Sequence, residues 1–240
     1  LLTNTLVAPQ ELEEYLNLKF SEGINYNYSL NILADKNNTY ALYELGTNEY
    51  KGYIKGYPRY DISYKYFKEA SQKNHPSSYY MMAKMLIDGN IGNKSIKDLK
   101  NAYEYLNISI SLGNIASLNL LGNMYKEGIY VKKDLNKAIT LYEEASLHNY
   151  AYAYNNLGKI YEDKHEYEKA FKYYEKSSLL GESYALNKLG EYYRQGIYVD
   201  INLDKAFSLY NKAIEVPIDN IYPYAFYNLA KYFYLTGDVI

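Results

Sequence analysis

The chain is predicted to be all-α, an array of helix–turn–helix repeats, on three observations. A pair of residues recurs six times as Leu45-Gly46, Met82-Ala83, Leu121-Gly122, Leu157-Gly158, Leu189-Gly190 and Leu229-Ala230, with steps of 37, 39, 36, 32 and 40 residues from one second member to the next. A period of that size marks stacked supersecondary units and not one globular centre. Five residues before each Gly/Ala stands a small residue: Ala41, Ser78, Ser117, Ala153, Ala185 and Ala225. Between successive columns lies a small–large–small triplet at helical spacing: Ser63/Phe67/Ala70, Ala102/Leu106/Ser109, Ala138/Tyr142/Ala145, Ala170/Tyr174/Ser177 and Ala206/Tyr210/Ala213. Two helices approach closely only where a side chain is missing or is a methyl group, and a large aromatic then fills the notch opposite.

In chain order, Pro9 to Phe20 reads as a helix with Gln10-Glu11 in its first turn and Gly23 beyond its end, and Tyr26 to Asp35 as a second. Residues 1–37 are expected to form a degenerate capping unit, because terminal repeats turn a wet face outward. Repeats then start near 38, 75, 114, 150, 182 and 221, making five full units and the first helix of a sixth in 38–240. The third is the clearest. Ser117, Leu118, Leu121, Gly122 and Tyr125 form one helical stripe. Gly128 ends that helix by taking positive φ, and Asp134 caps the next. The fourth lacks the connecting loop, since Glu162-Asp163-Lys164-His165 leads almost directly into Glu166-Tyr167-Glu168-Lys169-Ala170. In the fifth, Val216-Pro217-Ile218-Asp219-Asn220 and Pro223 break the helix and lengthen the turn. Three residues after the column stand Leu86, Tyr125, Tyr161, Tyr193 and Phe233; the first unit departs with Glu49, next to Tyr50.

Composition narrows the function. The 240 residues include no cysteine, which excludes a disulfide scaffold and a thiolate metal site. Net charge is −2 and the only arginines are Arg59 and Arg194, so the basic stripe of a nucleic-acid reader is missing. No apolar run reaches the length of a membrane span, and Leu1 to Ala8 lacks the basic start of a signal peptide. The expected location is cytoplasmic. The missing initiator Met, and the stop at Ile240 after one helix of a sixth unit, lead us to expect further sequence on both sides. Tyrosine is abundant, at 35 residues with no Trp. It fills aromatic packing positions, and some of it can line a binding surface because its ring is apolar and its tip polar.

The motif Ala/Ser-x-x-x-Leu-Gly-x-x-Tyr-x-x-Gly, then a loop and Asp-x-x-Lys-Ala-x-x-x-Tyr-x-x-Ala, resembles the Sel-one-like repeat (SLR) family, a relative of the tetratricopeptide repeat. Ser117, Leu121, Gly122, Tyr125, Gly128, Val131, Asp134, Lys137, Ala138, Tyr142 and Ala145 carry it best; Gly196-Ile197-Tyr198-Val199 repeats Gly128-Ile129-Tyr130-Val131. The resemblance covers roughly 38 to 235. It implies a right-handed α-α superhelix (solenoid), used as an adaptor or scaffold for other proteins, and no catalysis. The cysteine-rich, secreted bacterial branch is not resembled. Other bacterial solenoids of this kind follow a DNA-binding or enzymatic domain and sense a peptide, so a peptide-sensing half of a transcription regulator and a targeting arm of an enzyme stand as alternatives.

In such a superhelix the first helices line the concave side. With the core stripe at offsets −5, −1, 0 and +3 from the column, offsets −6, −3, +1 and +4 are expected to face the groove. Offset −3 holds Tyr43, Tyr80, Asn119, Asn155, Asn187 and Tyr227. Lys84, Asn123, Lys159 and Lys231 stand at +1, Tyr152 and Tyr184 at −6, and Arg194 at +4. An Asn offers both a donor and an acceptor to a peptide backbone, Lys favours carboxylates and Tyr supplies contact area. An extended peptide or a chain terminus is the expected ligand; the same spacing also fits solvated groove residues in an Asn-rich chain.

No catalytic or cofactor-binding constellation is legible. His75, His148 and His165 have no partner at metal-ligand spacing and read as surface or capping residues. Gly89-Asn90-Ile91-Gly92-Asn93-Lys94-Ser95 lacks the spacing of a phosphate loop, and Glu143/Glu144 read as a solvated face. No enzyme activity, cofactor or metal is expected.

Overall fold

A computed structural model describes residues 9–19, 26–217 and 221–236. Leu1 to Ala8, Phe20, Gly23, Ile218 to Asn220 and Gly237 to Ile240 lie outside the described residues, and with them the expectations placed on those positions. Among the described residues there are thirteen helices and no strand. The chain divides into two compact units at Ala138/Ile139.

Unit 1 holds α1 (Pro9–Lys19), α2 (Tyr26–Asp35), α3 (Thr39–Lys51), α4 (Tyr60–Ser71), α5 (Pro76–Asp88), α6 (Ile96–Ser111) and α7 (Ile115–Glu127). The helix α8 (Leu135–Ser146) spans the division. Unit 2 continues with α9 (Ala151–Asp163), α10 (Tyr167–Leu179), α11 (Ser183–Gln195), α12 (Leu203–Glu215) and α13 (Tyr224–Thr236). In unit 1, α3 pairs with α4 and α5 with α6; in unit 2, α9 pairs with α10 and α11 with α12. Each hairpin stacks on the next through α4–α5, α6–α7, α10–α11 and α12–α13.

The helix ends follow local chemistry. Asn38, Ser95, Asn114 and Asn202 each accept a backbone N–H of the helix they open. Asp134 accepts from the Lys137 N–H at 2.9 Å, as its position suggested. Gly128 closes α7 at φ 74° and Gly196 closes α11 at φ 69°, a left-handed backbone that a Cβ disfavours. Between α9 and α10 only residues 164–166 intervene.

All fifteen residues of the small–large–small triplets are fully buried, as are the six small residues ahead of the column. The column is where the two helices of a hairpin touch. A Cβ built on Gly46 would lie 2.7 Å from Phe67 Cε1, on Gly158 2.6 Å from Tyr174 Cε1, and on Gly190 2.5 Å from Tyr210 Cε1. No rotamer change of a fully buried ring relieves such overlap. Ser replaces Ala where a carbonyl is in reach: Ser63 Oγ donates to Gly46 O (2.7 Å), Ser109 Oγ to Pro76 O (2.7 Å) and Ser177 Oγ to Ala151 O (3.1 Å). A hydroxyl there is tolerated because it is satisfied.

The departure at Glu49 has a physical account. The Glu49 carboxylate is buried and takes both ends of the Arg59 guanidinium, with Arg59 Nε donating to Oε2 at 2.7 Å. The pair spans from α3 to the residue before α4, so the first hairpin has an ion pair at the position where the later ones carry a leucine or an aromatic. Arg59→Lys loses the fork geometry. It is expected to lower the denaturation midpoint of unit 1, and Arg59→Met to lower it further, because Glu49 is then buried with no counter-charge; urea melts of the three proteins check the order.

Candidate functional site

Unit 2 places three first helices, α9, α11 and α13, so that side chains join them in sequence. Lys188 Nζ on α11 meets Glu162 Oε1 on α9 at 3.0 Å and Glu191 Oε2 at 3.1 Å. Tyr174 OH donates to the other oxygen of Glu162 at 3.1 Å. Asn228 Nδ2 on α13 donates to Asn187 Oδ1 and to Glu191 Oε1, both at 2.9 Å. The network is explained by helical phase: offset −2 of one first helix lies opposite offsets −3, +1 and +4 of the preceding one. Lys188 and Asn228 are both at −2.

This corrects the placement of the asparagines. Offset −3 points into the seam between consecutive first helices and not at an open groove wall. Asn187 has no exposure and Asn155 only 8 %. Asn155 Oδ1 and Asn187 Nδ2 have no hydrogen-bond partner among the described residues. In unit 1, Asn119 is likewise buried, at 9 %. Tyr43 is half-buried between Phe67 and His75, with ring centroids 5.6 and 4.6 Å away. Tyr80 and Asn123 are half-buried, and Lys84 pairs along its own helix with Asp88 at 2.5 Å.

Offsets −6 and +1, two turns apart, form a second line along the unit 2 helices, of which only part is exposed. It reads Tyr152 and Lys159 on α9, Tyr184 and Glu191 on α11, Tyr224 and Lys231 on α13. Tyr152 and Tyr224 are exposed, as are Lys159 and Tyr227; Tyr184, Lys231 and Arg194 are half-buried. The tyrosines brace one another at the helix starts: Tyr150–Tyr152 at 5.6 Å, Tyr184–Tyr222 edge-on at 5.0 Å, Tyr222–Tyr224 at 5.4 Å. Burial alone would lower the Lys188 pKa, but Glu191 and Glu162 outweigh it and hold the ammonium well above its ordinary range. Lys188→Met is expected to cost roughly 2 kcal/mol, since it leaves two partly buried carboxylates without their counter-charge; urea denaturation measures it.

The histidines hold no site. His148 and His165 are exposed, while His75 is buried and its Nδ1 lies 2.9 Å from Ser78 Oγ. His75 therefore belongs to the packing of α3 against α5, not to the surface, although it does precede α5. Among the described residues no group of three or more His, Asp or Glu is arranged to hold a metal ion, and no helix is long and apolar enough to cross a membrane.

Stacked two-helix units with small residues at their crossing points and tyrosine-lined first helices define an all-α repeat protein of the scaffold class. The family model "Sel1 repeat" matches residues 39–75, 76–114, 115–150, 146–182, 183–215 and 223–240. The chain belongs to the Sel1 repeat family, whose repeats typically serve protein–protein interaction. Solved structures share the fold. A Sel1 repeat protein from Oxalobacter formigenes aligns with TM-score 0.73 and 21% identity over 87% of this chain and 85% of its own. An immunity protein from Pseudomonas aeruginosa aligns with TM-score 0.64 and 21% identity over 95% and 89%. A putative Sel1 repeat protein from Klebsiella pneumoniae aligns with TM-score 0.55 and 18% identity over 86% and 98%. None of the curated proteins matches this chain.

Proposed function

We propose that the chain is a non-catalytic scaffold that holds an extended peptide segment of a partner protein along the first-helix face of unit 2. The observation that carries this reading is the line of tyrosine and charged residues on α9, α11 and α13, exposed at Tyr152, Lys159 and Tyr224 and half-buried at Tyr184, Glu191 and Lys231, beside a seam of ion pairs and amides. Tyr152 and Tyr224 supply rigid contact area at low entropic cost, the property that makes tyrosine an anchor in interfaces. Lys159 and Lys231 favour acidic positions or a chain terminus in the ligand, and Tyr184 and Tyr227 extend the contact. The asparagines contribute from beneath: Asn187 holds Asn228, and with it the relative setting of α11 and α13. Each unpaired amide group at Asn155 and Asn187 costs about 1–3 kcal/mol, and that cost fits a seam kept polar for a purpose other than stability.

The test is a peptide library screened against the wild-type chain, followed by titration of the best peptide against Tyr152→Ala/Tyr224→Ala. Both rings are exposed, so the variant is expected to fold and to bind at least about tenfold more weakly. Equal affinity for the two proteins sinks the reading. Asn187→Ala is expected to weaken binding as well, through the freed Asn228.

A further inference from the structure

The second-helix side of unit 2 carries a feature that the first-helix face does not use. The helices α10 and α12 both pack on α11 and leave between them a cleft of about 760 Å3. Its floor is apolar: Phe171 and Leu189 are buried, and Tyr193 and Leu209 pack against that same cluster. Phe171 and Tyr193 meet edge-on at 5.9 Å. Leu179, on the α10 wall, is 86% exposed, a large apolar side chain with no cover.

Charge around this floor is one-sided. Lys169, Lys172, Lys176 and Lys205 line the cleft against the single carboxylate of Glu175. Two of these lysines are engaged along α10, Lys169 with Glu166 at 2.5 Å and Lys172 with Glu168 at 2.6 Å. Lys176 and Lys205 pair with no carboxylate among the described residues. They lie instead over rings: Lys176 Nζ is 6.0 Å from the Tyr173 centroid, and Lys205 Nζ is 4.2 Å from that of Tyr193 while donating to its OH at 2.6 Å. An ammonium over an aromatic face is attracted by the ring's negative face.

We infer that this cleft is a second docking surface, and that its occupant is an acidic amphipathic helix of a partner protein. A channel between two helices that share a third accepts another helix, whose apolar stripe would lie on Phe171, Leu189 and Leu209. Glutamates flanking that stripe would reach Lys176 on one wall and Lys205 on the other, which is the complementarity the one-sided rim calls for. The surface is separate from the tyrosine row, so the two could be filled together.

The experiment uses the whole chain and two synthetic helical peptides followed by fluorescence anisotropy. Both carry Leu at i, i+3 and i+7; one has Glu on the flanks and the other Lys. The acidic peptide is expected to bind, to weaken as salt rises from about 50 to about 300 mM, and to lose at least about tenfold in affinity to Lys176→Glu/Lys205→Glu. Leu179→Asp, at an exposed position, is expected to weaken it too. Lys212→Glu, an exposed lysine of α12 outside the cleft, is expected to leave it unchanged, with circular dichroism confirming that each variant folds. Equal binding of the basic peptide overturns the inference, as does no binding up to about 1 mM or indifference to the double charge reversal. Weakening by Tyr152→Ala/Tyr224→Ala in place of the lysine changes would move the peptide to the other face and overturn it as well.

Discussion

Gly190→Leu is expected to destabilise unit 2 by about 3 kcal/mol, and the loss should be largely repaired by shrinking one residue on the opposite helix. A Cβ at position 190 meets the ring of Tyr210 at 2.5 Å, and that ring is fully buried with no alternative place to go. Inserting extra methylenes into a packed core typically costs about 1–3 kcal/mol, occasionally more, and leucine adds four carbons here, which outweighs the roughly 1 kcal/mol of helix propensity gained by replacing a glycine. Tyr210→Ala alone is expected to cost about 3–5 kcal/mol, by leaving a cavity. In the double variant the leucine enters the space the tyrosine vacates, so the total should fall several kcal/mol short of the sum. Hydrogen exchange of the α11 and α12 amides, together with urea midpoints, reads the cycle. Additive costs would mean that helix crossing does not depend on this contact.

Acidification should weaken unit 1 through His75. Burial against Tyr40, Tyr43 and Ser78 pushes its pKa down from the ordinary 6.5 to about 4. A histidine whose folded pKa is depressed is neutral in the native state and must take up a proton on unfolding at mild acidity. Its contribution is therefore complete above pH 6.5 and is lost as pH falls from there towards 4. Between pH 7.5 and 5 the loss amounts to about 2 kcal/mol. In the same unit Glu11 has its pKa lowered: burial opposes this, but Lys73 and the Thr39 N–H prevail. Its contribution is lost only as pH falls below the ordinary carboxylate value of 4.5, outside that window. Hydrogen exchange of the α3–α5 amides at the two pH values, in wild type and in His75→Gln, checks the assignment; the variant should lose most of the difference. A slope unchanged by the substitution would place the proton uptake elsewhere.

Much of the fold is legible in order along the chain, because a repeat protein writes its packing locally. The column glycines, the alanines five residues ahead of them and the triplets of the second helices need only a helical period to be recognised, and each was found buried where that period put it. Glu49 stood out as an exception, but its partner Arg59 lies in a loop with no periodicity to reveal it. The asparagine row was recognised as a row and set on the wrong side of an edge. A helical wheel separates core from non-core, yet it does not say which flank of a first helix the next repeat covers. That depends on how far successive hairpins are turned, and in unit 2 the turn buries Asn155 and Asn187 at offset −3 while Tyr152, Lys159 and Tyr224 stay in water. The cleft behind α11 was not anticipated. Its residues come from four helices and meet in one cleft only once α10 and α12 are held apart.

What the order of residues settled unaided is the brick: two helices, their contact and their caps, since each rests on neighbours within one turn or one hairpin. Which surfaces remain open to a partner was decided by tertiary structure alone. The exposure of Tyr152, of Leu179 or of Lys205 is fixed by the angle and spacing between bricks, a quantity summed over many side-chain contacts and carried by no single motif.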